Sequence, residues 1–427
     1  MAIIGLYKLR CAFWSIAPIY EVKMSRFGKR MAILLIAVIL SANFTGCYKL
    51  ENKAKAEMAA PYSTSNATHT QTPVKSTPVQ VKRIPVPVVK GIYLNSSFLL
   101  SNEKVNSIIN ISKTTELNTV VIDIKGEDGY INYTSEVPLA KSIGASRGRV
   151  NSKSLIKLFH DNNIYVIGRV VCFRDPVLAK ARADLSFRAK DGSLWKDPSG
   201  TPWVNPFNQE NWKYIIDISK EAIDMGFDEI QYDYVRFGNE GDVKNIDFGP
   251  GFTPSKKPDT IAEFLDMAYK ELGGKNKAKV SADIFGISAI TSADDNILGQ
   301  NLEKVAKEVD AISPMIYPSH YSNLKQNKVG QIINNVTFQK PDLDPYNVVF
   351  QTMQTIKKRI EVNDIKTTIR PYLQAFTASY LGKGYYQKYG TSQVREQVQA
   401  VYDSGFKEWI LWDASCNYNI NYFEGKK

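Results

Sequence analysis

Between residues 91 and 415 the chain repeats one pattern eight times: a short apolar run, with stretches between the runs whose apolar positions fall three and four residues apart. The runs are GIYLNS (91–96), TVVIDIK (119–125), IYVIGRVVCF (164–173), FDEIQYDYVRF (227–237), KVSADIFG (279–286), DAISPMIYPSHY (310–321), TIRPYLQAF (368–376) and EWILWDAS (408–415). Residues 102–117, 152–163, 208–226, 260–272 and 392–405 lie between them and each carry one apolar face. Strands alternating with helices predict a parallel sheet covered by helices. Eight such repeats in a span of this size predict a closed (β/α)8 barrel. A doubly wound open sheet is the alternative, but the chain has neither the GxGxxG nor the GxxxxGK[ST] loop that would accompany it.

In such a barrel alternate residues of each strand point to the axis, and reactive groups collect at the carboxyl ends of the strands. FDEIQYDYVRF puts Ile230, Tyr232 and Tyr234 on one side and Gln231 and Asp233 on the other, so Asp233 is expected at the axis near the mouth. The same reading turns Asp123 and Lys125 inward from TVVIDIK, and Asp283 inward from KVSADIFG. Arg370, Tyr372 and Gln374 share one face of the seventh run, and Trp409, Leu411 and Asp413 share one face of the eighth. Four carboxylates, Asp123, Asp233, Asp283 and Asp413, are thus expected at one mouth. The bland alternative is that one or two of them hold loops or pair with Arg169, Arg236 or Arg370. Clustered like charges raise one another's pKa and cost stability, so a set of four asks for a function.

Charge argues against a nucleic-acid partner. The formal net charge is +11, but residues 1–46 hold six Lys/Arg against one Glu and residues 47–90 hold seven against two, which leaves +1 for 91–427. The basic excess lies outside the expected barrel. Only three histidines occur, His69, His160 and His320, with no HxH or HExxH, and the four cysteines form no CxxC. A histidine-based zinc site and a disulfide framework are both excluded on those grounds, whereas an aspartate-only Mg²⁺ or Ca²⁺ site is left open.

Residues 1–46 read as a leader. From Met24, the expected start of translation, a basic segment with Arg26, Lys29 and Arg30 precedes an apolar run too short to span a bilayer. FTGC (44–47) resembles a lipoprotein signal-peptide box, with Phe44 where Leu is usual, and makes Cys47 the expected lipidated residue. Residues 1–23 are a leader extension or are not translated. Residues 47–90, rich in Ser, Thr, Pro, Lys and Ala, cannot bury enough apolar surface to fold and read as a tether. The expected order is leader 1–46, tether 47–90 and barrel 91–427, an exported domain anchored at the outer face of the cytoplasmic membrane.

Two carboxylates flanking a glycosidic bond suffice for its hydrolysis, with no metal, cofactor or histidine. Sugar rings stack on aromatic faces, and aromatic residues make up 11% of the chain. Trp195 and Trp203, on the long connection after the third run, are expected at the mouth, with Trp212 in the helix that follows. Tyr317, His320, Tyr321 and Trp412 are further candidates for a sugar cleft, and Asn205, Tyr232, Arg236, Arg370 and Gln374 supply polar ones. Arg236 is expected beside Asp233, holding it ionised, with Asp283 the first choice of proton donor and Asp413 and Asp123 the next. These residues favour a polysaccharide hydrolase. The rival is a surface-anchored sugar-binding barrel without catalysis; a metal-dependent deacetylase fails on its histidine count.

GFDEIQYDYVRFG, DPSGTPWVNPFNQENWKYIIDISKEA, ISPMIYPSHY and IRPYLQAF together resemble a family of bacterial glycoside-hydrolase-type barrels long classed as a domain of unknown function, and more distantly the alpha-amylase-like barrel glycosidases. The resemblance covers roughly residues 91–420. It implies a barrel with the aspartate near the end of strand four, here Asp233, as nucleophile or base. It does not imply a substrate. Gly238 departs from the family's usual Pro after YVRF and puts the shape of that loop in question.

Overall fold

The computed structural model describes residues 84–273 and 278–425. The expected leader, Cys47 and most of the tether lie outside the described residues.

Eight parallel strands close on themselves: β1 (Lys90–Leu94), β2 (Thr119–Lys125), β3 (Tyr165–Val171), β4 (Glu229–Asp233), β5 (Lys279–Phe285), β6 (Ala311–Met315), β7 (Thr368–Ile369 and Tyr372–Gln374) and β8 (Trp409–Trp412). Each pairs with the next, and closure is made by β8 against β1, with Lys90 opposite Trp409 and Ile92 opposite Leu411. Every backbone edge is therefore paired, as the eightfold alternation of runs and helices requires. Arg370 and Pro371 interrupt β7, because proline has no N–H to give to the ladder.

Among the described residues, the longest helix of each connection is α1 (Asn102–Thr114), α2 (Ser152–Asp161), α3 (Gln209–Met225), α4 (Lys256–Leu272), α5 (Leu302–Lys307), α6 (Pro345–Val362) and α7 (Thr391–Asp403). Local chemistry sets their ends. The Asn151 and Asn208 side chains accept from the free N–H groups that open α2 and α3, and Gly226, at φ +117°, closes α3 in a left-handed cap. Helices α5 and α6 were not among the expected stretches. Val348, Val349, Thr352, Met353 and Ile356 give α6 a buried face at helical spacing, and Pro345 opens it.

The strands are shorter than the apolar runs. The fourth ends at Asp233, and Tyr234 turns out of it at φ +49°, a strained geometry for a tyrosine. The sixth ends at Met315, so PSHY belongs to the rim. Gly168 in β3 is required by packing: a Cβ there would lie 2.2 Å from Ile124 Cδ1 and 2.7 Å from the Phe227 ring.

The barrel interior is polar and layered. At the amino-terminal end, Glu229 accepts from Arg370 Nη1 (2.8 Å) and the Ser281 hydroxyl (2.5 Å), and Arg370 Nε donates to Glu408 (2.9 Å). In the middle, Gln231 accepts from the Tyr372 hydroxyl (2.6 Å) and donates to Ser313 (3.1 Å). On the outside, the Tyr232 hydroxyl donates to Ser219 of α3, and its ring packs against Phe264 of α4. The alternation read for the fourth run thus places Gln231 and Asp233 on the axis and Tyr232 under the helices.

Candidate active site

The top layer of the barrel is built around Arg169 of β3. Its Nε and Nη2 donate to Asp233 Oδ2 (2.9 and 2.6 Å), and its Nη1 donates to Asp123 Oδ1 (2.7 Å). Glu127 stands 3.5 Å from the same guanidinium. The Tyr93 hydroxyl donates to Asp123 Oδ2 (2.6 Å), and its ring stacks on Trp412 at 4.0 Å, with the Arg169 guanidinium 5.2 Å from the Trp412 ring centre. Burial alone would weaken the Arg169 cation, but Asp233 and Asp123 outweigh it and hold its pKa well above the ordinary range. Asp233 Oδ1 accepts from the Tyr234 N–H (2.6 Å), so the strained turn after β4 fixes this carboxylate from its own backbone.

Asp283 is the opposite case. It sits on β5 one residue beyond Ala282, which pairs with Tyr232, the neighbour of Asp233, and 1% of its surface is exposed. Neither carboxyl oxygen has a hydrogen-bond partner among the described residues. Burial first, and then the charge of Asp233, raise its pKa well above the usual carboxylate range. The same charges, after burial, push up the phenols of Tyr317 and Tyr372. One carboxylate held in an ion pair and one carboxyl driven to keep its proton therefore lie side by side at the carboxyl ends of neighbouring strands.

Several expected residues are placed elsewhere. Arg370 belongs to the amino-terminal layer, paired with Glu229 and Glu408, far down the axis from the mouth. Tyr232 is turned to the helices. Asp413 spends its carboxylate on a turn, accepting from Ser415 N and Oγ through Oδ1 and from Asn417 N through Oδ2. Trp409 bonds Tyr402 of α7, so the face of β8 that carries Trp409 is the outer one, and Trp412 points in. Arg236 is not the partner of Asp233. It bonds the Phe237 carbonyl and Asn239, and its guanidinium lies against the rings of Phe285, Trp203 and Tyr234 at 4.6, 4.8 and 5.1 Å. Burial lowers its pKa.

The aromatic residues of the long connection after β3 also have another task. Trp195 (4% exposed) donates to the Asp242 carbonyl, and Trp203 (3% exposed) donates to Asp197 Oδ2. Together with Phe187, Phe207, Phe237 and Phe248 they form a small core that seats this connection on the barrel. Gly238 answers the question raised by the missing proline: a Cβ there would meet the Trp195 ring at 3.0 Å. Asn205 shapes the turn into α3 by accepting from Phe207 N and, through its carbonyl, from Asn211. Tyr321 is buried and bonds Thr352 of α6. Gln374 is clasped by Ser319 N, Asp342 and the Phe376 carbonyl.

At the rim, Tyr317 stands edge-on to His320 (4.9 Å) and Phe376 (5.7 Å), with His320 exposed and Phe376 half-buried. The sequence named Arg169 as one of three possible partners for an inner aspartate, with Arg236 preferred for Asp233; the pairing with both Asp233 and Asp123 falls to Arg169. Among the described residues no three His, Cys, Asp or Glu side chains group as a metal site would.

One solved structure shares this architecture. The glycoside hydrolase domain of PgaB (BpsB) from Bordetella bronchiseptica is 11% identical and superposes with a TM-score of 0.56 over 77% of this chain and 94% of its own, a likeness of fold. A hypothetical protein from Ruminiclostridium thermocellum is 41% identical over 45% of this chain and 96% of its own, with a TM-score of 0.42. No curated protein matches. Residues 91–418 match the family described as "Putative glycosyl hydrolase domain", and the chain belongs to that family.

Proposed function

We propose that the barrel hydrolyses glycosidic bonds of a cell-wall or exported polysaccharide, with Asp283 as proton donor and Asp233 as nucleophile or base. The observation that carries this reading is the contrast between the two carboxyl groups: Asp233 is ion-paired with Arg169, while Asp283 is buried, unpartnered and raised in pKa. A neutral carboxyl without a partner is poised to donate. A glycosidic oxygen brought to it supplies the missing acceptor, and the proton moves to that oxygen as the C–O bond breaks. Asp233 either attacks the anomeric carbon as that bond breaks, forming a glycosyl ester that water cleaves after giving a proton to the Asp283 carboxylate, or takes a proton from the water that attacks directly, and Arg169 holds its orientation. Asp123 is tied to Arg169 and Tyr93 and acts in support. The rival reading, a binding module, needs no proton donor, and the buried, raised carboxyl of Asp283 favours the hydrolase over it.

The test is the release of new reducing ends from a panel of neutral, amino and acidic polysaccharides. Release by the wild-type chain that is lost in Asp233→Asn is expected. A folded wild-type chain that releases none from any of them overturns the reading.

We further propose that the domain is exported and held at the membrane through lipid on Cys47. The support is the order of basic, apolar and small residues over 24–47. Among the described residues no helix is long and apolar enough to cross a membrane. Mass spectrometry of the membrane fraction is expected to find a mature chain starting at a lipidated Cys47; an intact bond between residues 46 and 47 sinks the proposal.

A further inference from the structure

The loops after β6 and β7 form one continuous stretch of rim. The Tyr380 hydroxyl bonds Ser319 (3.2 Å), Lys325 Nζ donates to the Leu381 carbonyl (2.6 Å), and Gln387 bonds Asp342. Residues 317–341 and 375–390 together hold five lysines and no Asp or Glu, in a region, 91–427, whose net charge is only +1. The next acidic side chain, Asp342, is buried and already accepts from Gln374 and Gln387. This stretch is therefore a concentrated patch of positive charge.

Two of the lysines share one aromatic ring. Lys325 Nζ lies 4.6 Å and Lys340 Nζ 5.1 Å from the centre of the same Tyr385 ring. A ring face attracts each ammonium, but the two cations repel one another, and a shared anion removes that repulsion. Neither has a carboxylate within ion-pair distance among the described residues, and the Lys325 ammonium donates to the Leu381 carbonyl. Gly382 makes the arrangement sterically feasible, since a Cβ there would lie 2.5 Å from Lys325 Nζ. The same stretch offers rings on the way to the barrel mouth: Tyr380, 52% exposed, then Phe376 and His320, both against Tyr317.

We infer that this lysine–tyrosine wall binds an anionic glycan, a polysaccharide carrying carboxylate or phosphate groups, and feeds it to the mouth. The inference rests on the reading of the mouth as a glycosidase site and names the class of its substrate. Lys325 and Lys340 take an anionic group between them, and the rings toward Tyr317 take sugar faces.

The experiment is affinity electrophoresis of the full chain carrying Asp233→Asn, so that nothing is cut. Polygalacturonate presents carboxylates, phosphodextran presents phosphates, and plain dextran and a single-stranded oligonucleotide serve as comparisons. Binding to at least one anionic glycan and not to dextran is expected, weakened by salt because exposed charges are screened. Lys325→Gln with Lys340→Gln is expected to weaken it roughly three- to tenfold, with unchanged thermal unfolding, since both side chains are exposed. Equal binding of dextran, tighter binding of the oligonucleotide, or indifference to the double substitution overturns the inference. If a neutral glycan is cut by the wild-type chain and no anionic glycan is bound, the substrate class fails and the hydrolase stands. If an anionic glycan is bound through the lysines and none is cut, the hydrolase fails and the binding wall stands.

Discussion

Asp233→Asn is expected to lower the rate of reducing-end release by roughly 10³-fold or more, the scale of losing a nucleophile or base together with its charge. The structure makes the price in stability moderate. Asparagine retains an oxygen toward Arg169, and the guanidinium keeps Asp123 at 2.7 Å and Glu127 at 3.5 Å. Removing one partner of a buried ion pair costs about 3–5 kcal/mol when the other is stranded. Here Arg169 is not stranded, so a loss of about 1–3 kcal/mol in denaturant unfolding is expected. A variant that turns over within a few-fold of wild type removes Asp233 from the chemistry.

Asp283→Asn is the second large effect, and its signature is in pH. Losing a general acid costs roughly 10²–10⁴-fold on a poor leaving group and much less on an aryl glycoside, whose oxygen departs without help. Because the Asp283 pKa is raised in the folded chain, its proton is kept above the usual carboxylate range, and wild-type activity is expected to fall as pH rises through that folded value. Stability follows the same sign. A group with a raised folded pKa contributes stability that is fully present below its unfolded value, about 3.9, and is lost as pH rises through the folded one. Asparagine does not titrate, so in denaturant the variant should gain on wild type as pH increases above about 4. A stability difference that does not change with pH, or a basic limb of activity that survives in the variant, contradicts the assignment.

Electrostatics explains how both carboxyl groups can stand where they do. Two bare carboxylates on neighbouring strands would repel, and the barrel resolves this by giving one of them a cation and the other a proton. Arg169 enforces the division, and its links to Tyr93 and Trp412 fix its position through β1 and β8. The strain at Tyr234 adds a backbone N–H to Asp233 at the point where β4 ends.

The barrel was legible in the chain because its signals are local. Apolar runs of strand length, amphipathic stretches between them and capping residues such as Asn208 and Gly226 need no knowledge of neighbours. The period of two along a strand likewise assigns a side chain to the axis or to the helices, which brought Asp123, Asp233 and Asp283 to the inner face. It says nothing about height. Arg370 and Gln374 share a face, yet four residues of rise separate them, and the stagger between strands brings Arg370 to Glu229 at the bottom and Gln374 to the rim loops. Nor does alternation say which of a strand's two faces is the inner one: Asp413 shares a face with Trp409, which proves to be the outer face of β8, and its carboxylate is captured by its own turn. Loop residues are less legible still. Trp195 and Trp203 precede α3 as expected, but the loop after β4 closes over them with Asp242, Phe237 and Phe248, a contact between segments tens of residues apart. Residue type and period thus decided the architecture and the inner carboxylates. Which charge pairs with which, and which ring meets solvent, were decided only by the tertiary structure, because electrostatic partners and burial are set by three-dimensional neighbours that no local pattern encodes.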